Sequence, residues 1–307
     1  MKIDLCICTF RRAHISETLR SVAKAQIPTD VILKVIVIDN DDTPSAQNRV
    51  ADVAQETGLT VDYRHVPGSN ISIARNAGLD AATGDWIAFL DDDEVVEPDW
   101  LIALVDRSQS TGADAVFGHS RAVYGPEAPA WMVDGDFHSQ FAAPRGDLVE
   151  TGHTCNALLR WGDAPWRQER FALERGRSGG EDTEYFFRLR KLGARYAIAD
   201  RAIVREDVPS ARQSLGWLLK RRFRIGQSYS AVAIGGGARA RLFSTAMIKS
   251  AYCYLRALGA WPWMARRAFW LMRGTMHAGV CAGCIQLKQS DLYGSAVIAA
   301  PTQESTK

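Results

Sequence analysis

The sequence lacks the features that mark secreted, fibrous or membrane-spanning proteins. Its six cysteines in 307 residues are too sparse for a disulfide framework. The opening residues MKIDLCICTF contain neither the basic nor the apolar region of a signal peptide. No run of roughly 18 nearly uncharged apolar residues is present to cross a bilayer. The 25 glycines and 11 prolines are too few for a collagen-like or low-complexity chain. We therefore expect a reduced, cytoplasmic globular protein.

Acidic residues are almost missing from the last third of the chain. From Arg212 to Lys307 there are 14 lysines and arginines but only two acids, Asp291 and Glu304, which gives a net charge of +12. The remaining residues, 1–211, hold 23 basic and 33 acidic groups and carry −10. An acidic body joined to a basic tail predicts two different partners.

Hydrophobic periodicity predicts alternating strands and helices over the first 90 residues. The predicted strands are Ile3–Cys8, Val31–Ile38, Val61–Val66 and Trp86–Leu90, separated by helices at 16–24, 44–56 and 70–81. This order is typical of an α/β protein with a doubly wound sheet, in which ligands bind beyond the carboxyl ends of the strands. Later strands are expected at 115–123 and 196–204 and later helices at 101–110 and 181–192, whereas 124–177 has an irregular pattern suited to shaping a substrate site.

Polar residues follow three of the first four strands. Thr9 and Arg11 follow the first strand, Asp39 ends the second, and Asp91 and Asp93 follow the fourth. Two carboxylates one residue apart can bind Mg²⁺ or Mn²⁺, which takes its remaining oxygens from water or substrate phosphates. Asp39 is able either to accept hydrogen bonds from a base or ribose, or to stabilise a turn. The strand ends therefore predict one polar crevice.

Two further groups admit a structural or a functional interpretation. Arg75 lies in a predicted helix of small and apolar residues, where an arginine extends to solvent or reaches a phosphate. The segment Gly179-Gly180-Glu181-Asp182 places two carboxylates at the start of a helix. Such carboxylates commonly cap the helix, but they also suit a catalytic base.

In order and spacing, these segments resemble glycosyltransferase family 2. The matching segments are Cys8-Thr9-Phe10-Arg11-Arg12, Val37-Ile38-Asp39-Asn40, Asn70-Ile71-Ser72-Ile73-Ala74-Arg75-Asn76-Ala77-Gly78 and Thr83-Gly84-Asp85-Trp86-Ile87-Ala88-Phe89-Leu90-Asp91-Asp92-Asp93-Glu94. Each is weak alone, but the ordered set is specific and covers about residues 3–205. The resemblance implies a GT-A fold and an inverting enzyme that uses a nucleotide sugar.

The resemblance also implies roles for individual residues. Those expected to bind the nucleotide sugar are Thr9, Arg11, Asp39, Arg75, Asp91 and Asp92. Asp93 would be the main protein ligand of a Mn²⁺ or Mg²⁺ ion, with Asp91 beside it and the Asp92 carboxylate directed away. Asp182 would be the catalytic base, and Glu181 its neighbour. The base would take the proton of an acceptor hydroxyl as that oxygen displaces the diphosphate, which forms a β-linkage.

Some neighbouring residues keep alternative interpretations. The resemblance places His153 and Asn156 at the family's acceptor-side strand, where either would meet the donor sugar or the acceptor, although a structural polar role is favoured. Trp131, Trp161 and Trp166 are able to stack on sugar rings, but core packing is the better interpretation for each.

The basic tail predicts mainly helical structure with aromatic residues among its arginines. Such helices bind the anionic surface of a membrane, here the cytoplasmic face of the inner membrane, and would meet a polyprenyl-diphosphate-linked oligosaccharide acceptor. A simply packed helical subdomain is the alternative, and nucleic acid is not expected as a partner. We thus predict a nucleotide-sugar half at 1–105, an acceptor and catalytic-base half at 106–210, and a membrane-associating tail at 211–307.

The predicted activity is transfer of a sugar, with glucose favoured, from a UDP-sugar in exopolysaccharide or surface-glycan assembly. A nucleotidyltransferase is one alternative, but it should carry a glycine-rich basic loop after the first strand, and Thr9-Phe10-Arg11-Arg12 has no glycine. An inactive scaffold subunit is the other, and the presence of Asp39, Asp93 and Asp182 argues against it.

Overall fold

The computed structural model describes residues 1–141, 149–230 and 236–286. Within these residues the strands are β1 (Lys2–Thr9), β2 (Ile32–Asp39), β3 (Val61–His65), β4 (Trp86–Asp91), β5 (Glu94–Val96), β6 (Ala115–Val123), β7 (Asn156–Arg160) and β8 (Tyr196–Asp207). The α-helices are α1 (Ile15–Lys24), α2 (Gln47–Thr57), α3 (Ile71–Ala81), α4 (Trp100–Thr111), α5 (Ala130–Gly135), α6 (Glu181–Lys191), α7 (Leu215–Ser230), α8 (Gly236–Gly259) and α9 (Met264–Cys284).

The described strands form one mixed sheet in the order β3-β2-β1-β4-β7-β6-β8-β5. The first three neighbouring pairs, β3-β2, β2-β1 and β1-β4, are parallel, so the predicted doubly wound half is confirmed. Strand β7 runs antiparallel to both of its neighbours, and β6 and β8 are parallel to each other. Parallel strands buried on both faces read as continuous apolar runs, as β2 does in ILKVIVID.

Helices cover the sheet on both faces. One apolar core joins the sheet to α1, α2 and α4, and the other joins it to α3, α6 and the segment after β7. Trp161 and Trp166 are fully buried in the second core, and Trp131 packs beside a third cluster at α5, α7 and α9. Core packing, the favoured interpretation of these tryptophans, is therefore confirmed.

Strand β7 lies inside the segment 124–177 that the sequence pattern predicts to be irregular. Its five residues, NALLR, are too few to show a period, although its apolar residues are buried in the middle of the sheet. The same segment also contains α5 and a 3-10 turn at Leu173–Arg175. The expectation of an irregular segment was therefore wrong for β7.

Asn156, the first residue of β7, supplies hydrogen bonds where the pairing of two strands is interrupted. The pairing of β6 with β8 shifts register between Phe117 and His119, which interrupts the ladder there. The Asn156 amide donates to the backbone oxygens of His119 and Ala202, at 3.1 and 2.9 Å, and accepts from Trp100 Nε1 at 2.8 Å. Asn156 is only 1% exposed. The alternative that it meets a sugar is therefore wrong, and the favoured structural role is the one observed.

The basic tail is helical over its described residues. Helix α9 packs against α5, α7 and α8. Its buried residues Ala268 and Met272 share an apolar cluster with Leu218 of α7. The rest of the predicted tail, residues 231–235 and 287–307, lies outside the described residues. In the ranges that are described, no helix is both long and apolar enough to cross a membrane.

Replacing Asn156 with alanine should lower the free energy of unfolding by about 1–3 kcal/mol, because three buried polar groups lose their partner. Chemical denaturation of Asn156→Ala, Trp100→Phe and the double variant measures this effect. Trp100→Phe removes the indole donor together with buried ring volume, and because both variants lose the same Trp100–Asn156 hydrogen bond, the double variant should lose less than the sum of the two. An Asn156→Ala protein as stable as the parent would contradict the assigned role.

Candidate functional site

The predicted crevice forms at the carboxyl ends of β1, β2 and β4. Register alone brings its polar residues together, because Thr9 pairs with Asp39 across β1 and β2, and Cys8 pairs with Asp91 across β1 and β4. Helix α3 enters from the same side, and its N-cap Asn70 accepts hydrogen bonds from the N–H groups of Ser72 and Ile73. The predicted convergence of the strand ends is confirmed.

Arg75 links the two carboxylate groups of the site. It is 7% exposed on α3, and its guanidinium lies over the Phe171 ring at 5.7 Å from the centroid. One terminal nitrogen donates to Oε1 of Glu181, and the other lies 3.6 Å from Oδ1 of Asp91. Burial alone would lower the pKa of Arg75, but these carboxylates and Asp182 outweigh it and raise that pKa. Arg75 therefore stays charged and fixes the strand end relative to α6.

The two carboxylate oxygens of Glu181 differ in their hydrogen bonding. Oε1 accepts from Arg75, whereas Oε2 is buried and has no hydrogen-bond partner among the described residues. Burial raises the pKa of Glu181, and Arg75 partly offsets this effect. An unpaired buried acceptor costs about 1–3 kcal/mol. A ligand hydroxyl donated to Oε2 would remove that cost.

The acidic loop after β4 divides its carboxylates between the interior and the crevice. Asp92 points inward, where Oδ2 accepts from the Thr9 hydroxyl at 2.7 Å and Oδ1 lies 3.5 Å from Arg12 Nε. Asp93 forms an ion pair with Arg12, and Asp91 keeps 42% of its side chain exposed. Burial raises the pKa of Asp92 to about 6, although Arg12 and Thr9 oppose this shift.

Two of the predicted nucleotide-binding residues thus serve the loop itself. Thr9 and Asp92 are 2% and 6% exposed and bond to each other, which directs the Asp92 carboxylate away from the crevice as expected. Direct contact of either side chain with a nucleotide does not fit this arrangement. Their role is to hold the acidic loop against β1.

Asp39 is fully buried and stabilises a turn, which is one of the two roles that the sequence allowed for it. Its Oδ1 accepts from the N–H of Asp41 at 3.1 Å, and its Oδ2 accepts from the N–H of Ala46 at 2.8 Å and from Tyr63 Oη at 2.7 Å. These bonds shape the wall of the crevice after β2. Contact of Asp39 with a base or ribose stays a prediction.

Arg11 occupies an unusual backbone conformation at the end of β1, with φ of 57°. Its Nε donates to Oδ1 of Asp41 at 2.7 Å, and its side chain is about half exposed. Burial would raise the pKa of the Asp41 carboxyl, but the hydrogen bond from Arg11 opposes this effect, and the net result is a lowered pKa. The exposed guanidinium lies at the rim of the crevice between the ends of β1 and β2.

The chain reaches α6 through two glycines. Gly179 and Gly180 have φ of 86° and 84°, in the left-handed region that side chains with a Cβ rarely adopt. A Cβ on Gly180 would come within 2.5 Å of Ser228 Oγ on α7, and Arg224 of α7 donates to the Ser178 carbonyl. The first tail helix therefore supports the loop that starts α6.

Asp182 lies in the first turn of α6 with 18% of its side chain exposed. Its Oδ2 is 3.0 Å from Nδ1 of His153, and its Oδ1 accepts from the backbone N–H of Thr183 at 2.6 Å. Burial would raise the pKa of Asp182, but His153, Arg75 and the Thr183 N–H prevail and lower it to about 2. Asp182 is therefore a carboxylate at neutral pH, at a helix end that favours negative charge.

The structure adds residues to which the sequence assigned no function. Arg12 pairs with Asp93, and Tyr63 bonds to Asp39. Arg12 belongs to the Cys8-to-Arg12 segment, so its charge next to an acidic loop was the available signal. Tyr63 gave no signal, because a tyrosine in a strand is ordinarily read as packing.

The acidic loop offers few ligands for a cation by itself. In the part of the chain that the structure describes, no three histidine, cysteine or carboxylate side chains are grouped as a metal site. Asp91 presents a partly exposed hard oxygen donor, and Asp93 would have to open or share its ion pair with Arg12. These donors fit Mg²⁺ or Mn²⁺ when phosphate oxygens complete the coordination.

The chain is similar to known glycosyltransferases in sequence and in structure. Residues 4–161 match the family model described as Glycosyl transferase family 2. The succinoglycan biosynthesis protein ExoM of Rhizobium meliloti is 45% identical over 298 residues, which cover 96% of both proteins. A glucosyl-dolichyl phosphate glucuronosyltransferase of Haloferax volcanii is 34% identical over 137 residues, 43% of this chain and 40% of that protein.

Solved structures share the fold at low sequence identity. The mannosyltransferase PcManGT from Pyrobaculum calidifontis, in complex with GDP-Man and Mn²⁺, has a TM-score of 0.64 at 18% identity and covers 92% of this chain and 86% of its own. S. aureus TarS 1–349 in complex with UDP-GlcNAc has a TM-score of 0.54 at 15% identity, with 91% of both chains covered. The expected GT-A fold is confirmed, and the nucleotidyltransferase alternative is set aside. The chain belongs to glycosyltransferase family 2.

Proposed function

We propose that this glycosyltransferase moves a sugar, glucose, from a UDP-sugar to a hydroxyl of a lipid-linked oligosaccharide and forms a β-linkage by inversion. The observation that supports it best is the pair of ion contacts by which Arg75 holds Asp91 and Glu181 on opposite sides of one crevice. In this proposal residues 1–105 bind the donor, and 106–210 supply the acceptor side and the base.

The similar proteins supply the substrate classes. ExoM takes part in succinoglycan biosynthesis, which supports a role in exopolysaccharide assembly. The Haloferax relative acts on glucosyl-dolichyl phosphate, and this supports a lipid-linked acceptor. TarS was solved with UDP-GlcNAc and supports a UDP-sugar. Glucose rests on the resemblance of the sequence to glucosyltransferases of this family.

The crevice residues divide the work of donor binding. Arg11 lies at the rim and is able to meet a phosphate or the nucleotide, while Asp91 faces the same opening. Asp91 and Asp93 would hold Mn²⁺ or Mg²⁺, and the presence of Mn²⁺ in the PcManGT complex supports a divalent ion. When bound, the ion supplies positive charge that stabilises the leaving diphosphate. Arg75 orients the Asp91 carboxylate toward this position.

Asp182 supplies the basic group of the reaction. Its carboxylate is ionised, partly exposed and held at the start of α6 next to the Arg75–Glu181 pair. Proton uptake here as the acceptor oxygen attacks the anomeric carbon avoids a high-energy oxonium product. A single displacement of this kind inverts the anomeric centre, so an α-linked donor gives a β-linked product.

The exposed face of α8 and the turn into α9 form the proposed membrane surface. Its large apolar side chains are exposed rather than packed: Met247, Ile248, Tyr252, Leu255, Leu258, Trp261 and Trp263. Arginines flank the aromatics, with the Arg267 guanidinium 3.9 Å above Trp261 and that of Arg256 5.0 Å from Trp270. The sequence has no Asp or Glu from residue 208 to residue 290.

An anionic bilayer fits both the exposed apolar side chains and the positive charge of this surface. Exposed apolar and aromatic groups enter the interface, and each nearby Lys or Arg adds about 1 kcal/mol of attraction to anionic lipids. Peripheral attachment to the cytoplasmic face of the inner membrane would bring the crevice to a polyprenyl-diphosphate-linked acceptor. The packed-subdomain alternative explains α7 and α9 but not the exposed face of α8.

Replacing Asp93 with alanine should abolish the metal-dependent part of UDP binding. We expect UDP to bind the parent much more tightly with Mn²⁺, and Asp93→Ala to lose at least the roughly 10- to 100-fold that perturbing a metal site costs. Calorimetric titration with UDP, with and without Mn²⁺, measures this. Asp163→Ala is the control, since Asp163 follows β7 at the opposite end of β4 and is 92% exposed. Equal binding with and without metal would count against the site.

Asp182→Asn should bind UDP like the parent and lose transfer by about 10²- to 10⁴-fold, because the catalytic proton acceptor is weakened. The assay follows labelled sugar from UDP-glucose into a lipid extract of Rhizobium meliloti membranes. Glu184→Gln, two residues along α6 and paired with Arg188, is the control and should keep transfer. Substantial turnover by Asp182→Asn would remove Asp182 from the mechanism, and loss of UDP binding would point to misfolding.

Charges placed on the α8 face should release the protein from membranes. The Leu255→Glu/Leu258→Glu variant is expected to lose most co-sedimentation with phosphatidylglycerol vesicles, because two carboxylates oppose both burial and lipid charge. Leu192→Glu, an exposed leucine at the end of α6, is the matched control. Identical sedimentation of variant and parent, or equal binding to neutral phosphatidylcholine vesicles, would reject the surface.

A further inference from the structure

Each carboxylate that is proposed to bind the divalent cation already has a guanidinium beside it. Nη1 of Arg12 forms an ion pair with Oδ2 of Asp93, and Nε of Arg12 lies 3.5 Å from Oδ1 of Asp92. On the other side of the loop, Nη2 of Arg75 lies 3.6 Å from Oδ1 of Asp91. A divalent cation that approaches Asp93 alone therefore meets a positive charge at the oxygen that it must bind, and like charges repel.

The two guanidiniums differ in their freedom to move. The side chain of Arg75 is 8% exposed, and Arg75 is also bonded to Glu181 and lies over the Phe171 ring. The side chain of Arg12 is 38% exposed, and in the described parts of the chain its ion pairs are with the acidic loop alone, at Asp92 and Asp93. Arg12 is thus able to leave its carboxylate without breaking any other ion pair, whereas Arg75 is not.

Other hydrogen bonds hold the acidic loop in place. The Thr9 hydroxyl donates to Oδ2 of Asp92 at 2.7 Å, and the Thr18 hydroxyl of α1 donates to the backbone oxygen of Asp92 at 3.0 Å. The backbone N–H of Asp91 donates to Oε2 of Glu94 at 3.3 Å. None of these bonds involves Arg12, so the fold of the loop does not require the Arg12–Asp93 pair.

We propose that Arg12 covers Asp93 while the crevice is empty, and that a nucleotide diphosphate draws Arg12 away. The inference rests on the proposed function and concerns the regulation of the same donor site. A diphosphate offers Arg12 another anionic partner, because a guanidinium can donate two parallel hydrogen bonds to phosphate oxygens. Oδ2 of Asp93 then becomes available to a cation, and phosphate oxygens supply the further ligands that such ions commonly take from a substrate.

This exchange makes the binding of the cation depend on the nucleotide. Arg12 lowers the affinity of the protein for the metal alone, and the diphosphate restores that affinity. Because coupling between two ligands is reciprocal, the metal must strengthen the binding of the nucleotide by the same factor. A purely structural Arg12 has the opposite effect: its removal would loosen the loop and weaken the binding of the metal.

The binding of Mn²⁺ tests the proposal without any sugar transfer. Electron paramagnetic resonance of free Mn²⁺ gives the Kd of the metal for the full chain, alone, with saturating uridine and with saturating UDP. UDP should tighten Mn²⁺ binding to the parent by about 10-fold or more. Uridine should leave it unchanged, because uridine carries no phosphate. Arg12→Met should bind Mn²⁺ alone about 10-fold more tightly than the parent does, and should lose most of the effect of UDP.

Three further variants separate charge from structure. Arg12→Lys keeps the positive charge and should keep the weak binding of Mn²⁺ alone. Arg12→Met/Asp93→Asn should lose the tighter binding, because that gain requires the Asp93 carboxylate. Arg20→Met is the matched control and should bind like the parent, since Arg20 pairs with Glu56 away from the acidic loop. Circular dichroism checks that each variant is folded.

The outcomes distinguish this inference from the proposed function. An Arg12→Met protein that is folded and binds Mn²⁺ alone no more tightly than the parent would overturn the inference, and so would a parent in which uridine acts like UDP. A parent that binds no Mn²⁺ even with saturating UDP would overturn the proposed donor site instead.

Discussion

The site depends on one buried cation. Arg75 is held by α3 beneath the crevice, and it pairs with a carboxylate from the end of β4 and another from the start of α6. Removing a single partner from a buried ion pair typically costs about 3–5 kcal/mol, because an uncompensated charge is left inside the protein. Glu181 and Asp91 are therefore fixed by the fold at their positions. The spacing between the end of β4 and the start of α6 follows from the reach of one guanidinium.

The same rule of paired charges extends around the crevice. Arg12 neutralises Asp93, Arg11 neutralises Asp41, and His153 bonds to Asp182. Of the three aspartates at the end of β4 and in the loop after it, Asp91 has the most exposed side chain, 42% against 9% for Asp92 and 22% for Asp93. Ligand binding then amounts to an exchange of partners within a charged framework that already exists, with less reorganisation than assembly from free carboxylates would need.

The sequence predicted the strand–helix order and the crevice because both follow from local periodicity and from where parallel strands end. Arg75 and Asp182 were assigned to the same site as Asp39 and Asp91 only through the resemblance to the family. The sequence could not show which partners they choose, since Arg75 and Glu181 are 106 residues apart and meet only in the folded chain. Strand β7 was not predicted for a related reason. Its five residues are too few for a hydrophobic period, and pairing with β4 and β6 in the folded sheet determines their position.

The tail supports the start of α6 and also presents a separate surface. Helix α7 supports the glycine turn before α6 through the Arg224 bond to Ser178 and the contact of Ser228 with Gly180. Helix α9 packs against both α7 and α8, so the support of Asp182 and the exposed face of α8 belong to one packed unit. Close packing transmits displacement from one helix to the next. If α8 seats on a bilayer as proposed, this unit would set the height and orientation of Asp182 above the lipid headgroups, which is where the proposed lipid-linked acceptor would arrive.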